Sequence, residues 1–205
     1  MPVVVYAEST PNPSAMKFVA NKILLENSAP LEFFSAKEAN SSPLAAELFK
    51  FPFVKSVFIS ANYITLFKDE KLEWDDIIFE LREFLRAYIS EGKAVMSEVG
   101  ASADAKASAP VKEESTSQVI DHTVPQTETE KKIIGVLEQY VMPAVEQDGG
   151  MIVFRSYKEG VVSLLMRGAC SGCPSSTVTL KAGIEALLKK FVPEVTEVIS
   201  ESPAP

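Results

Sequence analysis

Gly168-Ala169-Cys170-Ser171-Gly172-Cys173-Pro174-Ser175-Ser176 holds the only two cysteines of a 205-residue chain. The stretch lies between an alternating apolar run and a helix-period run, so it reads as a strand-to-helix loop. Proline has the φ angle preferred at a helix's first position, and serines suit the first turn. Cys173 is therefore expected near the positive end of a helix, which favours an anion by roughly 0.3–1 kcal/mol. A thiolate there forms more easily than at a free cysteine's pKa of about 8.5. Gly168 and Gly172 remove Cβ atoms beside the sulfurs and let backbone N–H groups approach them. Both cysteines can aim outward together, from a loop that looks built to hold anionic sulfur.

Working outward, Glu130–Val145 carries Ile133, Leu137, Tyr140 and Val141 on one helical stripe, with Pro143 expected to kink it or begin its final turn. Asp148-Gly149-Gly150 breaks the chain. Met151–Ser156 and Val161–Arg167 read as a hairpin turned by Tyr157-Lys158-Glu159-Gly160. Leu180, Ile184, Leu187, Leu188 and Phe191 put one face on a helix over 175–191. Pro193 ends it, and Val195–Ile199 follows as a strand. The order is αββαβ, on a segment of under 80 residues (127–205) whose small core gains from a ligand or a partner subunit.

The preceding segment differs. Residues 1–91 contain ten of the twelve phenylalanines and the only tryptophan. Val3–Ala7 reads as a strand, Met16–Ala20 with Lys22–Leu25 as a hairpin about Asn21, and Leu31–Ser35 as a further strand. Pro43–Lys50 reads as a short helix capped by Ser42. Val54–Ser60 and Tyr63–Lys68 form a hairpin turning at Ala61-Asn62. In Glu73–Ile89, Ile77, Ile78, Leu81, Phe84, Leu85, Tyr88 and Ile89 recur on one helical face, and Gly92 stops the helix. This is a second small α+β domain. Between the two, residues 92–126 are rich in Ala, Ser, Glu, Lys and Pro. Such a stretch cannot offset its ordering entropy, so a flexible linker is expected, with a typical end-to-end distance of roughly 30 Å.

The net charge of −8 repels phosphate backbones, and no basic stripe offsets it, which argues against nucleic-acid binding. No apolar run approaches the roughly 20 residues that span a bilayer. The first residues lack a basic n-region and an Arg-rich transit pattern. The expectation is a cytoplasmic protein, where reducing conditions leave a CxxC pair available for metal or redox chemistry.

Tetrahedral zinc and iron–sulfur clusters take four ligands. This chain offers two thiols. Its one histidine, His122, falls in the linker, and Asp148 reads better as a turn residue than as a ligand. Two chains related by a two-fold axis would present the pair twice and complete four thiolates at an interface. A thiol–disulfide oxidoreductase using the same pair also remains open. Against it, Ala169 stands where an aromatic residue is expected, and αββαβ is not a thioredoxin-like start. A dimer-bridging zinc site and a plain structural loop are the other readings.

From Glu138 to Val198 the chain resembles the NifU-type C-terminal domain. The matching residues are Pro143, Asp148-Gly149-Gly150, the Gly168–Ser176 loop, Thr179-Leu180, Gly183-Ile184-Glu185 and Pro193-Glu194-Val195. The first segment resembles the Nfu N-terminal domain through Thr10-Pro11-Asn12-Pro13 and Lys17-Phe18. The resemblance implies a non-enzymatic iron–sulfur scaffold or carrier that binds a 4Fe–4S cluster between two subunits and passes it to apo-proteins. Cys170 and Cys173 would be its ligands, with Gly168 and Gly172 beside them. A 2Fe–2S form would satisfy the same ligand count. The partners implied are a second copy of the chain when loaded, apo iron–sulfur clients, and an upstream cluster-assembly scaffold. The N-terminal domain would recognise clients or assembly proteins. Phe49-Lys50-Phe51-Pro52-Phe53 reads as core packing rather than as a docking patch.

Overall fold

The computed structural model describes residues 2–26, 29–97, 123–171 and 174–201. Most of the expected linker, 98–122, and with it His122, lies outside the described residues. The chain divides into two compact units, one of residues 1–8 and 16–119, the other of residues 9–15 and 120–205.

The first unit contains β1 (Val5–Ser9) and β2 (Ala15–Ala20), apart from Ser9 and Ala15 at their facing ends, then β3 (Leu31–Phe33), α1 (Pro43–Leu48), β4 (Val54–Ile59), β5 (Tyr63–Lys68) and α2 (Trp74–Ser90), with a 3-10 turn at Ala39–Ser41 before α1. The strands make one sheet in the order β1-β2-β5-β4-β3. The expected hairpin at Ala61-Asn62 is present, pairing Ile59 with Ile64 and Val57 with Leu66 antiparallel. Ser42 caps α1 by accepting from the Ala45 N–H at 3.2 Å. Helix α2 buries Ile77, Leu81, Leu85, Tyr88 and Ile89, the face its periodicity marks, against a core that includes Phe18, Phe33, Leu44, Leu48 and Leu66. The mixed α and β content of both units agrees with the fold class read from sequence.

One expectation fails. Lys22–Leu25 forms no strand. Instead the N–H groups of Leu24 and Leu25 both donate to the Ala61 carbonyl, at 2.6 and 3.2 Å. The segment's alternation comes from Leu24 and Leu25, which are buried, while Lys22 and Ile23 face solvent. Two buried neighbours in a row do not fit a pleated strand with one wet face.

The second unit has the order αββαβ, with its first helix in pieces. They are α3 (Glu128–Val136), a π-helical turn (Leu137–Val141) and α4 (Met142–Gln147). Thr127 and Glu130 form a capping box at the start of α3. The helix therefore begins two residues before the apolar stripe alone suggests. Pro143 stands in the first turn of α4, where its missing N–H is tolerated. It restarts the helix after the π turn. Strands β6 (Gly150–Lys158) and β7 (Val161–Gly168) pair antiparallel, and α5 (Pro174–Phe191) leads to β8 (Glu197–Glu201), which pairs parallel with β7. The hairpin is longer than expected because its turn needs only two residues, Glu159 (φ 48°) and Gly160 (φ 86°), both in the left-handed region that matches the twist of a two-residue hairpin.

Candidate functional site

The cysteine loop leaves the end of β7 and enters α5, as the sequence implies. Cys173 and Gly172 lie outside the described residues, so the geometry is that of residues 168–171 and what surrounds them. Gly168 ends β7 with φ 60°. Its carbonyl accepts both the backbone N–H and the Oγ–H of Ser171, each at 2.8 Å. That tight turn fixes Ala169 and Cys170 between two hydrogen-bonded ends.

The Asp148-Gly149-Gly150 break supplies the other wall. Asp148 closes α4, and Gly149 turns the chain with φ 79°. The Gly149 carbonyl accepts from the Ala169 N–H at 3.2 Å, and Gly150 pairs with Gly168. A Cβ at Gly150 would lie 2.5 Å from Cys170 Sγ and 3.0 Å from both the Arg167 carbonyl oxygen and the Cys170 nitrogen. The sulfur therefore sits in the space a side chain at 150 would occupy. In sequence Gly150 reads only as part of a chain break. In the fold its missing Cβ is the seat of the thiol.

Cys170 is 6% exposed. Burial pushes its thiol up to about 12, and the nearby Asp148 carboxylate pushes in the same direction. In this conformation Cys170 is a neutral thiol packed inward. Cys170 thus does not aim outward in this conformation, as the loop would allow it to. The helix-terminus argument applied to Cys173, whereas Cys170 is governed by its burial. Asp148 acts here as the end of α4 and as a negative charge near Cys170. Among the described residues no group of three or more His, Cys, Asp or Glu side chains is placed to hold a metal ion.

Asn12 belongs to the same unit and is 4% exposed. Its Nδ2 donates to the Ala169 carbonyl at 3.5 Å and to the Ser171 carbonyl at 3.3 Å. These two carbonyls flank Cys170. In sequence, Thr10-Pro11-Asn12-Pro13 is a turn signal, and nothing in its spacing points 157 residues further on.

A cysteine pair set on a strand-to-helix loop behind a DGG break defines a NifU-like domain, and residues 133–199 match the family model described as "NifU-like domain". Residues 5–92 match that described as "Scaffold protein Nfu/NifU N terminal". Over 194 residues, 95% of its length, the chain is 35% identical to "NFU1 iron-sulfur cluster scaffold homolog, mitochondrial" of Drosophila persimilis. It is 36% identical to the protein of that name in Drosophila grimshawi. The chain spans 64% and 60% of the length of these relatives. The solution structure of a NifU-like protein from Saccharomyces cerevisiae is similar at 26% identity with a TM-score of 0.43, covering 47% of this chain and 86% of that one. With both domains present in order, the chain belongs to the Nfu/NifU-type family that these two models describe. Among the described residues no helix is long and apolar enough to cross a membrane.

Proposed function

We propose that this protein is an iron–sulfur carrier. Cys170 and Cys173 of two copies hold one 4Fe–4S cluster as cargo, and the loaded dimer passes it to apo-proteins. One observation carries the reading. In a chain of a scaffold family, the only two thiols lie three positions apart, and the described one is seated on the loop between β7 and α5. Two ligands are half of what a cluster takes, and a two-fold axis supplies the rest. Such a shared site lets go when the pairs separate, which suits delivery.

The residues divide the work. Gly168 and Ser171 hold the loop's turn. The seat at Gly150 keeps Cys170 neutral while no cluster is present. Ligation removes the proton from each thiol, so loading releases protons, and the metal–sulfur bonds offset the cost of moving Cys170 out of its seat. No turnover chemistry is involved, and a neutral buried Cys170 is a poor nucleophile for disulfide exchange. In this reading residues 1–91 dock clients or an upstream assembly scaffold, 92–126 join the two domains, and 127–205 binds the cluster. A tether raises the local concentration of cluster at a docked client. The cytoplasmic placement is part of the proposal. The relatives above carry "mitochondrial" in their names, and cell fractionation decides between the two.

Anaerobic reconstitution with ferrous iron and sulfide tests the whole. The expected product is a dimer with four iron and four sulfide per two chains, by elemental analysis and native mass. Mössbauer spectra separate it from a 2Fe–2S form. A monomer holding the complete cluster, zinc in place of iron in the isolated protein, or catalysed disulfide reduction without iron would each overturn it.

A further inference from the structure

The turn at Thr10–Pro13 is built to present one amide. Thr10 Oγ1 donates within the turn to the carbonyls of Asn12 and Ala15 and accepts the Asn12 N–H. Asn12 Oδ1 accepts the Ser14 N–H at 3.0 Å, an Asx turn. That bond also settles which end of the amide is which, since a backbone N–H can only donate. The NH2 end is left pointing outward from the turn, and it meets the carbonyls of Ala169 and Ser171. Pro11 and Pro13 restrict the backbone on either side. A buried amide is costly unless its hydrogens find acceptors. Here both go to the peptide groups around a single buried cysteine.

We propose that this turn is a latch on the cysteine loop. Asn12 holds residues 169–171 in the conformation that keeps Cys170 against Gly150, and the latch must release before the sulfur can reach a ligand shared with a second copy. The inference rests on Cys170 as a cluster ligand. A cluster shared between chains needs Cys170 at a surface, and the described conformation buries it. Leaving the seat moves the two carbonyls that Asn12 holds. Latching and loading therefore compete for one loop, and each weakens the other. Asn12 is a positioning residue, acting through the loop backbone. Its two bonds are long, so the latch is weak and reversible.

Two variants separate the parts of the device. Asn12→Ala removes both donors. Asn12→Asp keeps an acceptor for the Ser14 N–H but sets a carboxylate against two carbonyl oxygens, which should open the loop further. The full-length, cluster-free protein is treated anaerobically with iodoacetamide, and modification of Cys170 is timed by tandem mass spectrometry. The expected rate rises about fivefold in Asn12→Ala and more in Asn12→Asp. Amide exchange should quicken at Ala169–Ser171 and stay unchanged at Ile152–Phe154 of β6. Under reconstitution with iron and sulfide, Asn12→Ala should load faster than the parent protein. An unchanged Cys170 rate in both variants overturns the latch. So does exchange that quickens equally along β6, which would mean loosened packing only, or loading no faster despite faster alkylation. If the parent protein takes up no iron and sulfide, the cluster reading falls, and the alkylation and exchange results alone decide the latch.

Discussion

The two units use buried volume differently. In the first, α2 packs aliphatic and aromatic side chains onto a five-stranded sheet, and the buried interior is an apolar cluster of about twenty side chains. In the second, a three-stranded sheet carries a strand, β6, whose first five residues are all buried. One of them, Gly150, matters for the atom it lacks. The first unit is stabilised by what fills its core. At the cysteine loop the second depends on close approach, where one added carbon has nowhere to go. The first arrangement tolerates many sequences of similar volume, whereas the second tolerates very few.

The sharpest way to break this comparison is Cys170→Ala against Leu81→Ala. On the proposed function the first abolishes iron and sulfide binding, with a stability cost of only about 1 kcal/mol for a small buried side chain. Leu81 is fully buried in α2, and its truncation should cost about 2–5 kcal/mol in urea unfolding while leaving the iron content of the folded protein unchanged. Comparable iron loss in both variants would erase the distinction between the units.

Glycines sharpen it within the second unit. Gly150→Ala forces its Cβ into Cys170 Sγ and two backbone atoms. It should cost about 1–3 kcal/mol by denaturant unfolding and speed Cys170 alkylation as the sulfur is expelled. Gly135, in α3, has nothing within 4 Å of an added Cβ. Gly135→Ala should stabilise by up to about 1 kcal/mol on helix propensity. Opposite signs are expected from one substitution type at two sites in the same unit, read from the same melting curves.

The smallest effect concerns Glu185. Its hydrogen bond with Lys189, then the Val198 N–H donated to its Oε2, hold its carboxyl below the usual carboxylate range. Because the folded value is lowered, its contribution is present above the ordinary carboxylate pKa of about 4.3 and is lost as pH falls through the folded value. Glu185→Gln should flatten the acid limb of stability slightly, and the Val198 amide should exchange faster in the variant at neutral pH. Identical acid limbs would show that this half-buried carboxylate contributes nothing.

Much of the fold is legible in sequence because period and punctuation agree. The α2 stripe, the Ala61-Asn62 turn, the αββαβ order and the Cys170–Pro174 loop each rest on several residues pointing the same way. Where the sequence misleads, local and tertiary signals diverge. Glu130–Val145 reads as one helix because a π turn leaves hydrophobic spacing nearly intact. Lys22–Leu25 reads as a strand because four residues cannot show whether alternation is real. The depth of Cys170 is illegible because it depends on the absence of one carbon at Gly150, across a strand pair. The reach of Asn12 is illegible because no local pattern connects positions 157 residues apart.

The thiol's seat has one more consequence. A sulfur set where a Cβ at position 150 would lie has little space on that side to accept an oxygen atom, and a protonated thiol reacts slowly with peroxide. Each further oxidation step adds bulk and charge, so while the loop stays closed the fold resists every rung of that ladder. On the proposed function, Cys170 of the empty carrier is thus shielded from oxidants, and its vulnerable interval is confined to the moment of exchange.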